Sequence, residues 1–288
     1  MQAERIEHRN IRVDNDVTLH VAIAGKGPLV VLLHGFPDFW FSYRYQIDAL
    51  VDAGFRVVVP DQRGYNTSSK PSSIDGYGLV NLASDVRKLI AELGETKAHI
   101  VGHDWGGAVA WAVAMAHPEI VSRLVILNSP HPERMLAALK RPRQLLRSWY
   151  MFVFQLPRIP EAILRRGDFA VLAKAIKNEP SRPGAVSDDD IAQYREAWSQ
   201  AGAIEGMLAW YRAMFRKDLK IRMKRVEAKV LVLWGDGDPH LGTEVATPLE
   251  KLVPNARVEM VRGASHWVHV DAPEIVNREM IAFLKGEA

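Results

Sequence analysis

Residues 98–117, AHIVGHDWGGAVAWAVAMAH, decide the fold that this sequence predicts. The first part, AHIVGH, is a short apolar run typical of a buried strand, and GGAVAWAVAMAH has the composition of a helix. Gly102 and Gly106 lack Cβ atoms, so the chain between them can turn tightly and hold a central residue in a strained conformation. We therefore expect a strand, a sharp turn and a helix, with Asp104 at the turn.

Alternating strands and helices surround this stretch. Short apolar runs predict the other strands, and amphipathic segments predict the helices. Such alternation is typical of an α/β fold with a mostly parallel sheet flanked by helices. The predicted strands are 17–24, 29–34, 55–59, 98–103, 124–127, 230–234 and 257–261, and further helices are expected at about 42–53, 79–93 and 243–252 and from about 273.

The alternation stops between residues 131 and 224. This segment shows helical stretches rich in Arg, Leu, Ala and aromatic residues, and no convincing buried strand. An all-helical insertion between two parts of one sheet is typical of a lid. We therefore predict a core formed by residues 1–130 and 225–288, and residues 131–224 are called the cap segment below.

The composition argues against several classes of function. A net charge of +3 on 288 residues indicates neither a nucleic acid nor a membrane as partner. With no cysteine there is no disulfide, thiolate metal site or cysteine nucleophile. The charged beginning MQAERIEHRN lacks the apolar region of a secretory signal, and no stretch approaches the roughly 18 apolar residues of a membrane span. We expect a cytoplasmic protein and leave monomer or homodimer open.

Two basic runs lie in or near the cap segment. They are KRPRQLLR at 140–147 and RKDLKIRMKR at 216–225. An anionic partner is one interpretation of such runs. We interpret them instead as the solvated faces of cap helices.

The turn at Asp104 has the G-x-nucleophile-x-G pattern, with aspartate at the position where esterases have serine. A carboxylate can attack a saturated carbon in a strained ring, or displace a halide, and the product is an alkyl ester. The pattern thus predicts a substrate with an electrophilic sp³ carbon. The alternative is an aspartate that only caps the helix.

Two further turns supply the expected partners of Asp104. In this type of fold the chain order is nucleophile, acid, histidine. WGDGDP at 234–239 and RGASHW at 262–267 both follow predicted strands, whose carboxyl ends carry the sites of α/β folds. We predict His266 as the base and Asp238 as the acid, with Asp236 as the alternative.

No metal and no cofactor are expected. A His266–His269 pair is the nearest candidate for a metal site, but the sequence shows no third ligand for it.

The loop after the strand at 29–34 is expected to contribute an oxyanion hole. Hydrolases with this turn combine a backbone N–H group of this loop with that of the residue after the nucleophile. We assign these groups to Phe36 and Trp105. The same two residues, together with His34 and Pro37, are predicted to contact substrate, and Phe36-Pro37 is a candidate cis peptide bond.

Five stretches resemble the soluble epoxide hydrolases of the α/β-hydrolase superfamily. The resemblance, rather than any periodicity, implies that the substrate is an epoxide. It also implies the α/β-hydrolase fold with an inserted helical cap, an ester intermediate on Asp104 and a vicinal diol as product. The stretches are HGFPDFWFSYRYQI at 34–47, DQRGYNTSSKP at 61–71, GHDWGG at 102–107, WGDGD at 234–238 and GASHWV at 263–268.

The same resemblance implies two cap tyrosines that hydrogen-bond the epoxide oxygen and protonate it. Tyr150 in YMFVFQ and Tyr211 in WYR match the two motifs. Helical spacing places Tyr150 on one stripe with Leu146 and Val153. It places Tyr211 on one stripe with Ile204, Leu208 and Phe215, so both phenols are expected on buried faces. The alternative is that both are ordinary core tyrosines.

Two rival functions remain open from the sequence. A haloalkane or haloacid dehalogenase would use the same Asp104. Haloalkane dehalogenases often have Asn where this chain has Phe36, and fluoroacetate dehalogenases have Arg where it has Trp105. The tyrosine pair favours the epoxide. A ligand-binding protein on an inactive hydrolase scaffold is the second rival, because fold alone does not establish function.

Overall fold

The computed structural model describes residues 6–216 and 221–287, which contain one eight-stranded sheet. Its order is β1-β2-β4-β3-β5-β6-β7-β8. Strand β2 runs antiparallel to β1 and β4, and the remaining neighbours are parallel. The strands are β1 (Glu7–Asp14), β2 (Val17–Ala24), β3 (Leu29–Leu33), β4 (Arg56–Pro60), β5 (Ala98–His103), β6 (Val121–Leu127), β7 (Val230–Gly235) and β8 (Ala256–Val261).

Helices cover both faces of this sheet, which is why its central strands are apolar on both sides. On one face, Val30 and Leu32 of β3 pack in a cluster with residues of α1 (Arg44–Asp52) and α11 (Pro273–Lys285). On the other face, Val31 and Leu33 join residues of α2 (Leu79–Glu92) and α3 (Trp105–Ala116). The short helix α10 (Val268–Asp271) precedes α11. The predicted α/β fold class is confirmed.

Two predicted features of the core differ from the structure. The helix expected near 243–252 is wrong, since only a short 3-10 turn forms at Thr243–Val245. Pro248 disfavours helical backbone at the preceding residue and has no N–H group to donate. Strand β1 was not predicted, because most of its residues are exposed at the sheet edge and the strand shows no clear alternation of buried and exposed residues.

Six helices lie between β6 and β7, and the described part of this segment contains no strand. Residues 217–220 of the cap segment, and residues 1–5 and 288 of the predicted core, lie outside the described residues. The helices are α4 (Pro132–Ala138), α5 (Pro142–Arg147), α6 (Trp149–Val153), α7 (Ile159–Asn178), α8 (Asp188–Ser199) and α9 (Ala203–Met214). None of the helices in residues 6–216 and 221–287 combines the length and the apolar character needed to cross a bilayer.

The stripe predicted around Tyr150 is wrong. Helix α5 ends at Arg147 and α6 begins at Trp149, and Leu146 faces solvent instead of sharing a buried face with Tyr150. The stripe predicted around Tyr211 is correct within α9, where Ile204, Leu208 and Tyr211 are buried. It is wrong for Phe215, which follows the end of α9 and is exposed.

Side-chain hydrogen bonds fix α8 and α9 to the core. Trp198 Nε1 donates to the carbonyl of Pro37 at 2.7 Å, and Tyr194 Oη donates to Asp38 Oδ1 at 2.9 Å. Trp210 Nε1 of α9 donates to the carbonyl oxygen of Arg63 at 3.0 Å. Two of these three acceptors lie directly after Phe36, so the packing of α8 is tied to the loop that follows β3.

Candidate active site

Asp104 occupies a strained turn between β5 and α3. Its φ of 51° and ψ of −119° lie in a backbone region that residues other than glycine rarely adopt. A Cβ atom on Gly102 would lie 2.3 Å from the carbonyl oxygen of Gly106, and one on Gly106 would lie 2.0 Å from that of Leu33. The glycines are therefore required for the close approach of the backbone that makes the turn possible.

Asp104, His266 and Asp238 form a continuous chain of ionisable groups. His266 Nε2 lies 3.4 Å from Asp104 Oδ2, and His266 Nδ1 lies 2.7 Å from Asp238 Oδ2. The three residues follow β5, β8 and β7, so the carboxyl edge of the sheet brings them together. The two nitrogens of one imidazole thus contact two different carboxylates.

Asp238, and not Asp236, is the carboxylate beside the histidine. Asp238 is 5% exposed, and its Oδ1 accepts the backbone N–H groups of His240 and Leu241 at 2.7 and 2.9 Å. Asp236 is exposed and accepts the backbone N–H of Gly263 at 2.7 Å, which makes it a turn residue.

Charge coupling sets the protonation states of this chain. Burial by itself would raise the pKa of Asp104, but its hydrogen bond and ionic attraction to His266 hold that pKa below the ordinary value. The pKa of Asp238 is likewise lowered to about 2 despite burial, with His266 as the main cause. Burial would lower the pKa of His266, but the Asp238 and Asp104 charges raise it well above its ordinary value. The two carboxylates therefore favour the charged form of the imidazole that lies between them.

The loop after β3 meets the Asp104 carboxylate directly. The Phe36 N–H donates to Asp104 Oδ1 at 2.9 Å, and the Phe36-Pro37 peptide bond is cis. Trp105 is the first residue of α3, where backbone N–H groups have no partner within the helix. His34 is fully buried, and its Nε2 lies 3.1 Å from the backbone N of Gln62.

A cavity of about 340 Å³ opens in front of Asp104. Among the described residues that line it are Trp105, Tyr150 and Tyr211, whereas His34, Phe36 and Pro37 are not. Most of the remaining wall is apolar, as expected of a small-molecule site. That wall includes Leu79, Met135, Leu136, Met151, Met214, Ile221, Met223 and Leu241.

The two predicted tyrosines lie side by side on the cap side of this cavity. The ring centroids of Tyr150 and Tyr211 are 6.0 Å apart, and Tyr211 packs edge-on against Trp105 at 5.0 Å. Burial and the nearby Asp104 charge raise the pKa of both phenols. Both therefore stay neutral at physiological pH and keep an O–H group to donate.

Asn128 belongs to the candidate site, and the sequence did not predict it. Its Nδ2 donates to Asp238 Oδ2 at 2.7 Å, and its Oδ1 accepts the N–H of Gly235 at 2.9 Å. Asn128 follows β6 directly and has a positive φ of 39°. A polar residue at the carboxyl end of a central strand was the signal that could have identified it.

A second buried pair, Asp38 and His103, lies behind the histidine. His103 Nε2 lies 2.9 Å from the carbonyl oxygen of His266, and His103 Nδ1 lies 3.6 Å from Asp38 Oδ2. Asp38 also accepts the indole N–H of Trp267 at 3.1 Å. This pair holds the backbone of His266, so it positions the residue without contact to the cavity.

No group of three or more His, Asp or Glu side chains suited to a metal ion occurs in residues 6–216 and 221–287. The chemistry available at the site comes from a strained carboxylate, an imidazole, backbone N–H groups and two neutral phenols.

Known proteins share this fold along almost the whole chain. The family model described as alpha/beta hydrolase fold matches residues 28–273. The AB hydrolase superfamily protein YfhM of Bacillus subtilis (strain 168) is 45% identical over 276 residues, which cover 95% of this chain and 96% of that protein. Human epoxide hydrolase 4 is 36% identical over 289 residues, which cover 97% of this chain and 79% of that protein.

A solved structure agrees with these relatives. The crystal structure of Bacillus megaterium epoxide hydrolase in complex with an inhibitor superimposes with a TM-score of 0.88 at 33% identity, and covers 96% of this chain and 100% of that chain. This class of protein is an α/β hydrolase with aspartate at the nucleophile position. It is defined by the sheet order, the strained turn and the carboxylate–histidine–carboxylate chain. With these relatives, the chain belongs to the epoxide hydrolase family of that superfamily, as its motifs predicted, and it is a hydrolase.

Proposed function

We propose that this protein opens small-molecule epoxides to vicinal diols through an ester on Asp104. The observation that carries this proposal is the placement of Asp104, Tyr150 and Tyr211 around one cavity. An epoxide between them would present its oxygen to two O–H donors and a ring carbon to the carboxylate.

In the first step, Asp104 attacks one ring carbon while the phenols bind the oxygen. The new Asp104 O–C bond forms as the ring C–O bond breaks, and the departing oxygen takes a proton from a tyrosine. The imidazolium of His266 replaces that proton through solvent. The step leaves an alkyl ester on Asp104 and a neutral His266.

In the second step, His266 acts as a base. Esterification removes the negative charge of Asp104, which is one of the causes that raise the pKa of His266. Neutral His266, oriented by Asp238, takes a proton from water, and the hydroxide attacks the ester carbonyl carbon. The N–H groups of Phe36 and Trp105 stabilise the oxyanion, and its collapse breaks the bond between the acyl carbon and the alkoxide oxygen. The departing alkoxide takes the proton of the newly formed Asp104 carboxyl group, which yields the diol, the Asp104 carboxylate and a protonated His266.

The roles of the other predicted residues follow from the same arrangement. Trp105 lines the cavity beside Asp104, and Phe36 supports Tyr211 from behind the cavity wall, with ring centroids 5.3 Å apart. His34 and Pro37 do not line the cavity. We propose that they affect substrate binding only by shaping the loop that carries Phe36. No cofactor takes part in the proposed reaction.

Two broader predictions also stay proposals. We propose that residues 131–224 act as a cap on the core formed by 1–130 and 225–288, which is supported by the cavity walls drawn from both parts. A reducing compartment such as the cytoplasm is proposed for the protein, and the support is its lack of cysteine.

Parallel assays with styrene oxide and a bromoalkane test the proposed function. We expect diol from the epoxide, little bromide from the alkane, and neither product with Asp104→Asn. The dehalogenase alternative rests on Trp105, whose indole could bind a halide. Bromide without diol would establish that alternative, and neither product from the wild type would favour a binding protein.

A further inference from the structure

An apolar stripe on the cap segment faces solvent. Leu145 lies in α5, Trp149 and Phe152 lie in α6, and Leu156 follows α6; all four are exposed. Trp149 is 62% exposed, and Leu146, next to Leu145 in the sequence, is 74% exposed. Single exposed apolar side chains are ordinary, but several on adjacent turns mark an interaction surface.

The buried side of the same segment is partly polar. Gln144 and Ser148 are each 1% exposed, and they lie one helical turn apart. Gln144 Nε2 donates to Ser148 Oγ at 2.9 Å and to the carbonyl oxygen of His240 at 2.7 Å. These bonds fix the polar side against the core, so the apolar side is held outward.

The exposed stripe continues into the next helix. Ile159 at the start of α7 is exposed, as is Ile163 one turn later. Phe152 packs against Phe215 at the end of α9, with ring centroids 5.6 Å apart. We call this exposed surface the apolar cap face; it consists of Leu145, Leu146, Trp149, Phe152, Leu156 and Ile159.

The stretch of chain that carries this face is basic. Residues 134–160 contain six Lys or Arg residues and no Asp or Glu. Among these cations, Lys140, Arg141, Arg143 and Arg158 are exposed. An apolar and anionic surface would therefore complement this face.

We propose that the apolar cap face docks on the surface of a lipid bilayer that contains anionic lipids. Its apolar side chains would enter the boundary between head groups and acyl chains, and the cations would bind lipid phosphates. A second copy of this chain fits less well, because a two-fold contact would set the same cations against each other. The proposal departs from the expectation that no membrane is a partner.

Two residues of the active-site cavity wall lie beside this face. Leu136 lines the cavity and is 45% exposed, and Met151 lines it between Trp149 and Phe152 of the apolar cap face. An apolar epoxide dissolved in the bilayer could then enter without crossing water. This consequence rests on the proposed function, whereas bilayer binding does not.

Vesicle co-sedimentation of the whole protein without substrate tests the proposal. We expect binding to phosphatidylcholine vesicles with about 30 mol% phosphatidylserine, and weaker binding in about 0.5 M salt. Arg141→Gln with Arg143→Gln should weaken partitioning by about 25-fold, at about fivefold per cation. Leu145→Ser with Leu146→Ser should weaken it by about tenfold or more.

Ile275→Ser is the matched control, since Ile275 is an exposed apolar residue on α11. It should bind vesicles like the wild type, and all variants should keep their thermal unfolding midpoint. Absence of wild-type binding to anionic vesicles would overturn the proposal, as would equal binding by the double serine variant. A wild-type dimer that the double serine variant converts to monomer would assign the face to a second copy instead.

Discussion

Asp104 is held by more constraints than any ordinary surface carboxylate. The strained backbone aims it at the cavity, the Phe36 N–H fixes one oxygen, and His266 lies by the other. Preorganisation of this kind removes the need to reorient groups as charge develops in the reaction. Each neighbour of Asp104 therefore has a separable effect that substitution can measure.

Replacement of Asp238 separates it from the alternative acid. Asp238→Asn removes the carboxylate 2.7 Å from His266, so we expect kcat to fall by about 10³–10⁴-fold, as for the acid of other triads. Asp236→Asn is the matched control and should retain most activity, since Asp236 only bonds a turn N–H. Steady-state kinetics of both variants measures the two losses of kcat. Equal losses would contradict the assignment of Asp238 as the acid beside His266.

The protonation of His266 should differ between the free enzyme and the ester. Burial lowers its pKa, but Asp238 and Asp104 raise it well above the ordinary value in the free enzyme. The ester lacks the Asp104 charge, so kcat should rise with pH through a lower pKa than the one at which His266 titrates in the free protein. The pH profile of kcat and an NMR titration of His266 give the two values. Coincident values would contradict the proposed second step.

The two phenols should contribute comparably to ring opening. General acids of this kind accelerate reactions by about 10²–10⁴-fold. Tyr150→Phe and Tyr211→Phe should each lower the rate of ester formation in rapid-mixing experiments, and the double variant should form almost no ester. Tyr77→Phe also removes a phenol from the cavity wall, and its near-normal rate would serve as the control. A fully active double variant would show that neither phenol takes part in ring opening and that both residues are ordinary core tyrosines.

At the scale of elements, helix α8 is coupled to the loop after β3. Tyr194 donates to the buried Asp38 carboxylate, so Tyr194→Phe leaves a charged group short of a donor. We expect a loss of about 2 kcal/mol in the free energy of unfolding, near the middle of the range for such groups.

Chemical denaturation measures this loss, and Tyr77→Phe again provides the comparison. Tyr77 donates to the carbonyl oxygen of Pro71, a neutral acceptor, so its loss should be nearer 1 kcal/mol. If both variants lost the same free energy, the Asp38 carboxylate would not depend on α8.

The sequence predicted elements and residues where one local rule was sufficient. Apolar runs bounded by turns predicted seven of the strands that the structure describes. Positions after those strands predicted Asp104, Asp238 and His266, whose side chains the structure brings together. The false helix at 243–252 had suitable composition, but a single proline at 248 prevented it.

Residues whose roles depend on distant partners were not predictable in this way. Asn128 contacts Asp238 across 110 positions of sequence, and His103 contacts His266 across 163. Neither pairing leaves a local periodicity. The exposure of Leu146 could not be predicted either, because an apolar residue on a helix normally predicts burial.

At the scale of the whole molecule, the cavity lies between the cap segment and the core. A ligand that contacts both parts binds only the folded chain and should stabilise it. An apolar primary amide matches the site, because its carbonyl oxygen can accept from the phenols and its N–H groups can donate to Asp104.

Such an amide at about 100 times its Kd should raise the free energy of unfolding by about 2.7 kcal/mol. Denaturant titrations with and without the amide measure the effect. The variant with both Tyr150→Phe and Tyr211→Phe should lose most of this stabilisation. Undiminished stabilisation in that variant would place the amide elsewhere.

In the proposed reaction, Asp104 forms a covalent ester whose carbonyl carbon is attacked by water. A single turnover in ¹⁸O-labelled water, followed by mass spectrometry of the peptide that contains Asp104, tests it most directly. The proposed mechanism predicts label in Asp104 and unlabelled diol, since one carboxylate oxygen passes to the product. Label in the diol alone after the first turnover would contradict the ester and require direct attack of water on the epoxide.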